Sequence, residues 1–197
     1  MGNPLNSIAV FCGSSLGNNP KIIEDAQNLG KILALQKIDL VYGGSKLGLM
    51  GEVARGVLKN GGNAIGVIPE FLRTKEVVHP RLTELHITET MQERKLKMHE
   101  LCHGIIVLPG GFGTMEEFFE IITWSQLGIH RKPIGILNSG GFYDQLIQML
   151  ETMVKTGLLK QDNFDILLVS DSTEELLGLM KTYQPHPVPK WMNKEQI

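Results

Sequence analysis

Arg94 and Lys95 stand in or beside the apolar face of a predicted helix. Met91, Lys95, Met98 and Cys102 recur at i, i+4, i+7 and i+11, and Arg94 borders that stripe. Burying an unpaired charge is costly, so two cations in such a place need partners. A bound anion or an acidic catalytic side chain would serve; so would solvent, reached by snorkelling, or a structural carboxylate. Glu117 is the candidate acid. It ends the stretch Val107-Leu108-Pro109-Gly110-Gly111-Phe112-Gly113-Thr114-Met115-Glu116-Glu117. There an apolar run, Gly104 to Leu108, closes in a glycine turn, and Thr114 opens an amphipathic segment from Glu116 to Leu127. A strand, a tight glycine loop and a helix N-terminus in that order make an anion site. Backbone N–H groups lack partners there, and the helix dipole favours negative charge. Glycines 110, 111 and 113 lack a Cβ, so the loop can take positive φ and admit a phosphate closely. Thr114-x-x-Glu117 also fits a capping box. Glu117 is therefore either a helix cap or an acid beside the ligand of the loop, and spacing leaves both open.

A second glycine-rich stretch runs from Gly43 to Gly51 after another apolar run, and it makes Gly43 and Gly44 candidates to face the same ligand. His99-Glu100-Leu101-Cys102-His103 matches the H-E-x-x-H helix motif of zinc proteases. His103 stands at the helix end, where the dipole favours a cation anyway, and no third ligand follows at a familiar spacing. No metal site is assigned. Cys102 reads as a small buried hydrophobe. Gly111-x-Gly113 lacks the third glycine of a dinucleotide fingerprint, with Glu116 in its place, so a mononucleotide is the better match.

The elements that must position these residues alternate. Strands are predicted at Ser7 to Cys12, Asp39 to Tyr42, Ala64 to Ile68, Glu84 to Thr88, Gly104 to Leu108, Pro133 to Leu137 and Asp165 to Val169. Helices are predicted from about Pro20, from Leu49 to Gly61-Gly62, from Met91 to His103, through Thr123 to Gln126, from Phe142 to about Thr156, and from the Ser172-x-x-Glu175 capping box to Tyr183. Residues 69 to 83 read as an irregular connector long enough to be functional. Strands apolar on both faces and alternating with helices imply an α/β, doubly wound (Rossmann-like) parallel sheet flanked by helices, in a single domain. Ligands of such sheets bind beyond the carboxyl ends of the strands, where both glycine loops fall. The domain is assigned to residues 1–183, and 184–197 to a proline-containing tail.

The chain has 197 residues, enough to bury a proper core. Its formal net charge of -2 offers no electrostatic argument for a nucleic-acid or anionic-membrane partner. The two cysteines, Cys12 and Cys102, are too few for a disulfide scaffold and suit a reducing compartment. With neither a membrane-length apolar run nor a signal-peptide pattern, a cytoplasmic protein is expected.

Taken together, Pro109-Gly110-Gly111-x-Gly113-Thr114-x-x-Glu117 and Met91-x-x-Arg94-Lys95 resemble the LOG family of cytokinin-activating phosphoribohydrolases, proteins often mislabelled lysine decarboxylases. Tyr42-Gly43-Gly44 with Gly48-Leu49-Met50-Gly51, the segment Ile122 to His130, and Lys132-Pro133-Ile134-Gly135 extend the resemblance to about residues 7–180. Ser45 departs from the third glycine usual in the family. The resemblance implies hydrolysis of the N-glycosidic bond of N6-substituted adenosine 5′-monophosphates to the free base and ribose 5-phosphate. It implies Arg94 and Glu117 as the catalytic pair, and substrate contacts from Glu76, Lys95, Thr123 and the 111–117 loop with Gly111, Phe112, Gly113, Thr114, Met115 and Glu116. No metal, no cofactor and no pyridoxal-phosphate lysine is implied. In that chemistry a carboxylate stabilises oxocarbenium character and orients water, the role that falls to Glu117. Arg94, a permanent cation, fixes Glu117 and the nucleotide. Met91 and Met98 are candidates for an adaptable pocket around the base or for plain core packing. A homodimer is implied as well, with Phe118, Phe119 and Trp124 as excess aromatic area on one helix. The alternative is a nucleotide-binding or sensing module of the same fold without turnover.

Overall fold

The structure is a computed structural model that describes residues 5–73 and 77–185. Seven strands alternate with helices: β1 (Ser7–Phe11), α1 (Pro20–Leu35), β2 (Asp39–Tyr42), α2 (Gly48–Lys59), β3 (Ala64–Pro69), β4 (Glu84–Thr88), α3 (Met91–Leu101), β5 (Gly104–Val107), α4 (Phe112–Gln126), β6 (Ile134–Leu137), α5 (Asp144–Lys155), α6 (Gln161–Phe164), β7 (Leu167–Ser170) and α7 (Thr173–Thr182). The strands form one sheet in the order β4-β3-β2-β1-β5-β6-β7. Every pairing is parallel. This is the doubly wound α/β fold expected from the alternation.

Two apolar layers explain why the inner strands carry no polar stripe. Ile8, Val10 and Cys12 point to the core shared with Leu29 and Leu33 of α1, Val53 and Val57 of α2, and Leu177 and Met180 of α7. Ala9 and Phe11 point the other way, to Met98, Phe118, Ile121 and Tyr143. A strand buried on both faces is apolar along its length, and all five residues of β1 are buried, Ser7 at its start being satisfied by donating its hydroxyl to the Leu101 carbonyl.

Several ends differ from the expectations. The helix expected to run to His103 stops at Leu101. Cys102 is extended, and the N–H of His103 already donates to the Ser7 carbonyl at 2.9 Å, feeding the chain into β5. The helix expected from Phe142 begins at Asp144, because Gly140 and Gly141 take positive φ in a 3-10 turn, Ser139–Gly141. The short helix α6 was not anticipated, and β7 lies two residues later than expected at its start. At α1, Pro20 sits in the first turn and the Asn19 side chain accepts the Lys21 N–H at 3.0 Å. The Ser172 cap is present, its hydroxyl accepting the Glu175 N–H at 3.4 Å. The tail assigned to 184–197 lies almost wholly outside the described residues.

Candidate functional site

From β1 the chain winds outward through β2, β3 and β4, and β5 then restarts on the other side of β1. The carboxyl ends of β1 and β5 therefore flank a topological switch point, where the connecting loops splay apart and leave a crevice. Three loops meet there. The Gly13 N–H donates to the Pro109 carbonyl at 3.0 Å, and the Leu49 N–H donates to the Gly13 carbonyl at 3.1 Å. A cavity of about 450 Å³ opens between them, with Gly43, Arg94, Gly111, Phe112, Gly113, Thr114 and Glu117 among its walls.

The start of α4 decides between the two readings of Glu117. The helix begins at Phe112 with Gly111 as its N-cap, two residues before the expected opening at Thr114, and no side chain caps it. Thr114 is thus inside the first turn and no capping box forms. The first helical bond in this turn runs from the Met115 N–H to the Gly111 carbonyl. Among the described residues no acceptor takes up the N–H groups of residues 112–114, so they remain for a ligand.

The glycines act differently from the expectation. Residues 110, 111 and 113 are not among the positive-φ glycines, whereas Gly44 has φ 73°. Gly110 is needed for closeness, since a Cβ there would lie 2.1 Å from Thr114 Oγ1 and 2.9 Å from Gly13 N. At Gly111 and Gly113 a Cβ would meet nothing within 4 Å, which leaves open space beside the free N–H groups.

Glu117 instead meets Arg94. Arg94 Nη1 donates to Glu117 Oε1 at 2.6 Å, and Nε donates to the carbonyl of Val67 within β3 at 3.1 Å. Both side chains are about nine-tenths buried. Gly43 admits the guanidinium: a Cβ there would lie 2.5 Å from Arg94 Nη2. Burial pushes the Glu117 carboxyl above its ordinary range, and the charge and hydrogen bond of Arg94 pull against that shift without cancelling it. The Cys12 thiol beneath is raised far by burial and further by the charge of Glu117, with Arg94 opposing. It stays protonated at neutral pH and is no nucleophile.

Lys95 also finds carboxylates. Its Nζ donates to Glu116 at 2.5 Å and to Glu120 at 2.9 Å. Burial alone would lower this ammonium, but the two carboxylates carry it upward. Lys95, Met115, Glu116 and Thr123 are not among the cavity walls; the Thr123 hydroxyl donates to the Phe119 carbonyl at 2.6 Å. Gly110 lies directly behind the loop, and the Gly44 carbonyl accepts the His79 N–H at 2.8 Å, which ties residues 77–79 to the first glycine loop. Glu76 lies outside the described residues. Met91 lines the cavity while Met98 is fully buried in the core.

The two histidines of the H-E-x-x-H stretch are held by different partners. The His103 ring lies 2.8 Å from Ser7 Oγ, and His99 packs edge-on against Trp124 and beside His130. Burial drives His130 down to about 4, so it is neutral. Among the described residues no group of three or more His, Cys, Asp or Glu side chains is placed to hold a metal ion. Cavity residues that sequence reasoning passed over are Cys12, Gly13 and Ser14 after β1, and Ser45, Leu72 and Val77. The available signal was the switch-point rule, which sets the end of β1 opposite that of β5 and makes the Gly-Ser-Ser turn a site loop.

A cavity at the switch point, with a free helix N-terminus and a buried Arg–Glu pair in its wall, defines a doubly wound α/β protein with a ligand site beyond its strand ends. Residues 50–180 match the family described as "Possible lysine decarboxylase". The probable cytokinin riboside 5′-monophosphate phosphoribohydrolase LOGL9 of Oryza sativa subsp. japonica is 42% identical over 90% of this chain and 78% of its own length. The cytokinin riboside 5′-monophosphate phosphoribohydrolase LOG7 of Arabidopsis thaliana is 41% identical over 90% of this chain and 82% of its own. The chain belongs to this family, within the LOG group these relatives represent. Its fold is shared more widely. The molybdenum cofactor binding protein of Rippkaea orientalis superposes with TM-score 0.68 at 21% identity, covering 90% of this chain and 96% of that one. The Moco carrier protein of Chlamydomonas reinhardtii gives 0.67 at 18%, with the same coverage.

Proposed function

We propose that this chain hydrolyses the N-glycosidic bond of adenosine 5′-monophosphates, N6-substituted ones included, releasing the free base and ribose 5-phosphate. The observation that carries the reading is the Arg94–Glu117 pair at 2.6 Å, buried yet opening on the cavity of the glycine loop. A carboxylate held in low dielectric beside C1′ stabilises the oxocarbenium character that develops as the C1′–N9 bond breaks. Water then adds to C1′, oriented by the same carboxylate, and the purine leaves with the bonding electron pair and takes up a proton. Arg94 keeps the carboxylate ionised and aimed. The N–H groups of residues 112–114 hold the 5′-phosphate, so that remote binding positions the ribose over Glu117. Met50, Leu72, Val77 and Met91 supply an apolar wall suited to a purine bearing an apolar substituent.

The test is incubation of purified protein with AMP and with isopentenyladenosine monophosphate, with and without chelator. Base release that resists chelation supports the hydrolase. Tight binding without release would replace it by the sensing module.

The same reading includes a homodimer in a reducing cytoplasm. Phe118 is wholly buried in the core and contributes nothing to an interface. Phe112 and Phe119, with half-buried Met115 and Ile122, make an outward apolar stripe along α4 that a second copy would cover. Both cysteines are free and buried, and no helix among the described residues is long and apolar enough to cross a membrane.

A further inference from the structure

Next to the Arg94–Glu117 pair lies a second, parallel clamp between the same two helices. Lys95 follows Arg94 on α3, Glu116 precedes Glu117 on α4, and Glu120 stands one turn further along. Lys95 is buried to a side-chain exposure of 9%, while Glu116 is more than half exposed. A buried ammonium facing two carboxylates across a helix pair has its hydrogen-bonding capacity directed at α4, away from the cavity. We infer that Lys95 is a positioning residue: it pins the first turn of α4 to α3 and neutralises Glu116, and so keeps Glu117 aimed at Arg94 and ionised. It does not bind substrate through its ammonium group. The inference rests on the hydrolase reading for its kinetic consequences only.

Geometry supports the division of labour. Adjacent helical residues point about 100° apart, so Arg94 and Lys95 leave α3 in different directions, as do Glu116 and Glu117 on α4, and only Arg94 and Glu117 are among the cavity walls. Arg94 and Glu117 take the inner direction, and Lys95 meets Glu116 beside them. The charged and titratable groups facing Glu117 are Arg94 and Lys95 from α3, the thiol of Cys12 directly after β1, and Glu116 from its own helix. Removing Lys95 takes away one cation and leaves a carboxylate uncompensated on the neighbouring residue. Both changes favour the protonated form of Glu117.

The experiment compares wild type with Lys95→Met, Lys95→Arg and Glu116→Gln, measuring kcat and KM for AMP across pH. In Lys95→Met the acid limb of kcat/KM moves up by about one pH unit, and kcat at a pH on that limb falls about tenfold. KM changes less than about twofold, since no ground-state contact is lost. Lys95→Arg restores the wild-type limb, and Glu116→Gln moves it down. A KM raised about tenfold with the limb unmoved would overturn the inference in favour of a substrate contact. Unchanged profiles in all three variants would overturn it as well. If Lys95→Met fails to fold, the downward shift in Glu116→Gln carries the test. The Glu117 carboxyl is also titrated directly by side-chain carbonyl NMR in each folded variant. If wild type releases no base, the hydrolase reading falls, and the clamp is still judged by whether that titration moves up in Lys95→Met and down in Glu116→Gln.

Discussion

At the scale of single residues, the buried pair makes the sharpest demands. Glu117→Gln removes the negative charge but keeps shape and hydrogen bonding, so base release falls by about a hundredfold or more while the protein stays folded. Arg94→Ala is harsher. It strands a buried carboxylate, and about 3–5 kcal/mol of stability is lost together with turnover, read as a lower melting temperature. If activity fell only in step with melting in both variants, Glu117 would be a structural group. Because burial raises the Glu117 carboxyl, the acid limb of kcat/KM lies above the ordinary glutamate value of about 4.3. The same shift has a sign for stability. An acid raised on folding stabilises the fold fully below its unfolded value and loses that contribution as pH rises through the folded one. The wild type therefore loses stability relative to Glu117→Gln as pH rises from the ordinary glutamate range through the raised value of the folded state, which paired thermal melts across pH will show.

At the scale of elements, the turn into α4 separates two kinds of glycine. Gly110→Ala drives a Cβ against Thr114 Oγ1 and the Gly13 backbone, so the contact between the β1 and β5 loops must open. Melting temperature and activity fall together. Gly111→Ala meets no protein atom, and the backbone there, φ -95° and ψ -155°, is extended. This variant melts like wild type, yet its methyl enters the space beside the free N–H groups, and KM for AMP rises about tenfold or more. Equal melting losses in the two variants would show that Gly111 serves packing and not ligand approach.

At the scale of the whole molecule, the switch point joins the loops after β1, β2 and β5 into one cavity, divided in the proposed reading between a phosphate end and an apolar end. Selectivity follows from that division. AMP is cleaved with kcat/KM about a hundredfold above adenosine, because the nucleoside leaves the donors at the start of α4 to water and forfeits the binding that positions its sugar. Equal values for the two would remove the phosphate argument. The exposed stripe on α4 makes the corresponding prediction for assembly. Light scattering gives a dimer at micromolar concentration, and Phe119→Glu, which places a charge in that stripe, gives a monomer.

The sequence alone determined the winding and the place of the site. Apolar strands alternating with periodic helices admit few arrangements other than a parallel sheet covered on both faces, and glycine loops at strand ends mark where such a sheet binds ligands. Local signals also sufficed for the start of α1 at Pro20 and the cap of α7, since these depend on residues only a few positions apart. The role of Glu117 was not local. Thr114-x-x-Glu117 satisfies the capping pattern, and only the start of α4 at Phe112 and the arrival of Arg94 from 23 residues away turned that side chain into a buried ion pair. The partners of Lys95, the separation of His99 from His103, and the entry of Gly13 and Ser14 into the cavity are likewise products of helices and strands laid side by side. Spacing along a chain orders side chains around one helix. Which face of the neighbouring element they meet is settled by packing, when the whole sheet closes its two apolar layers.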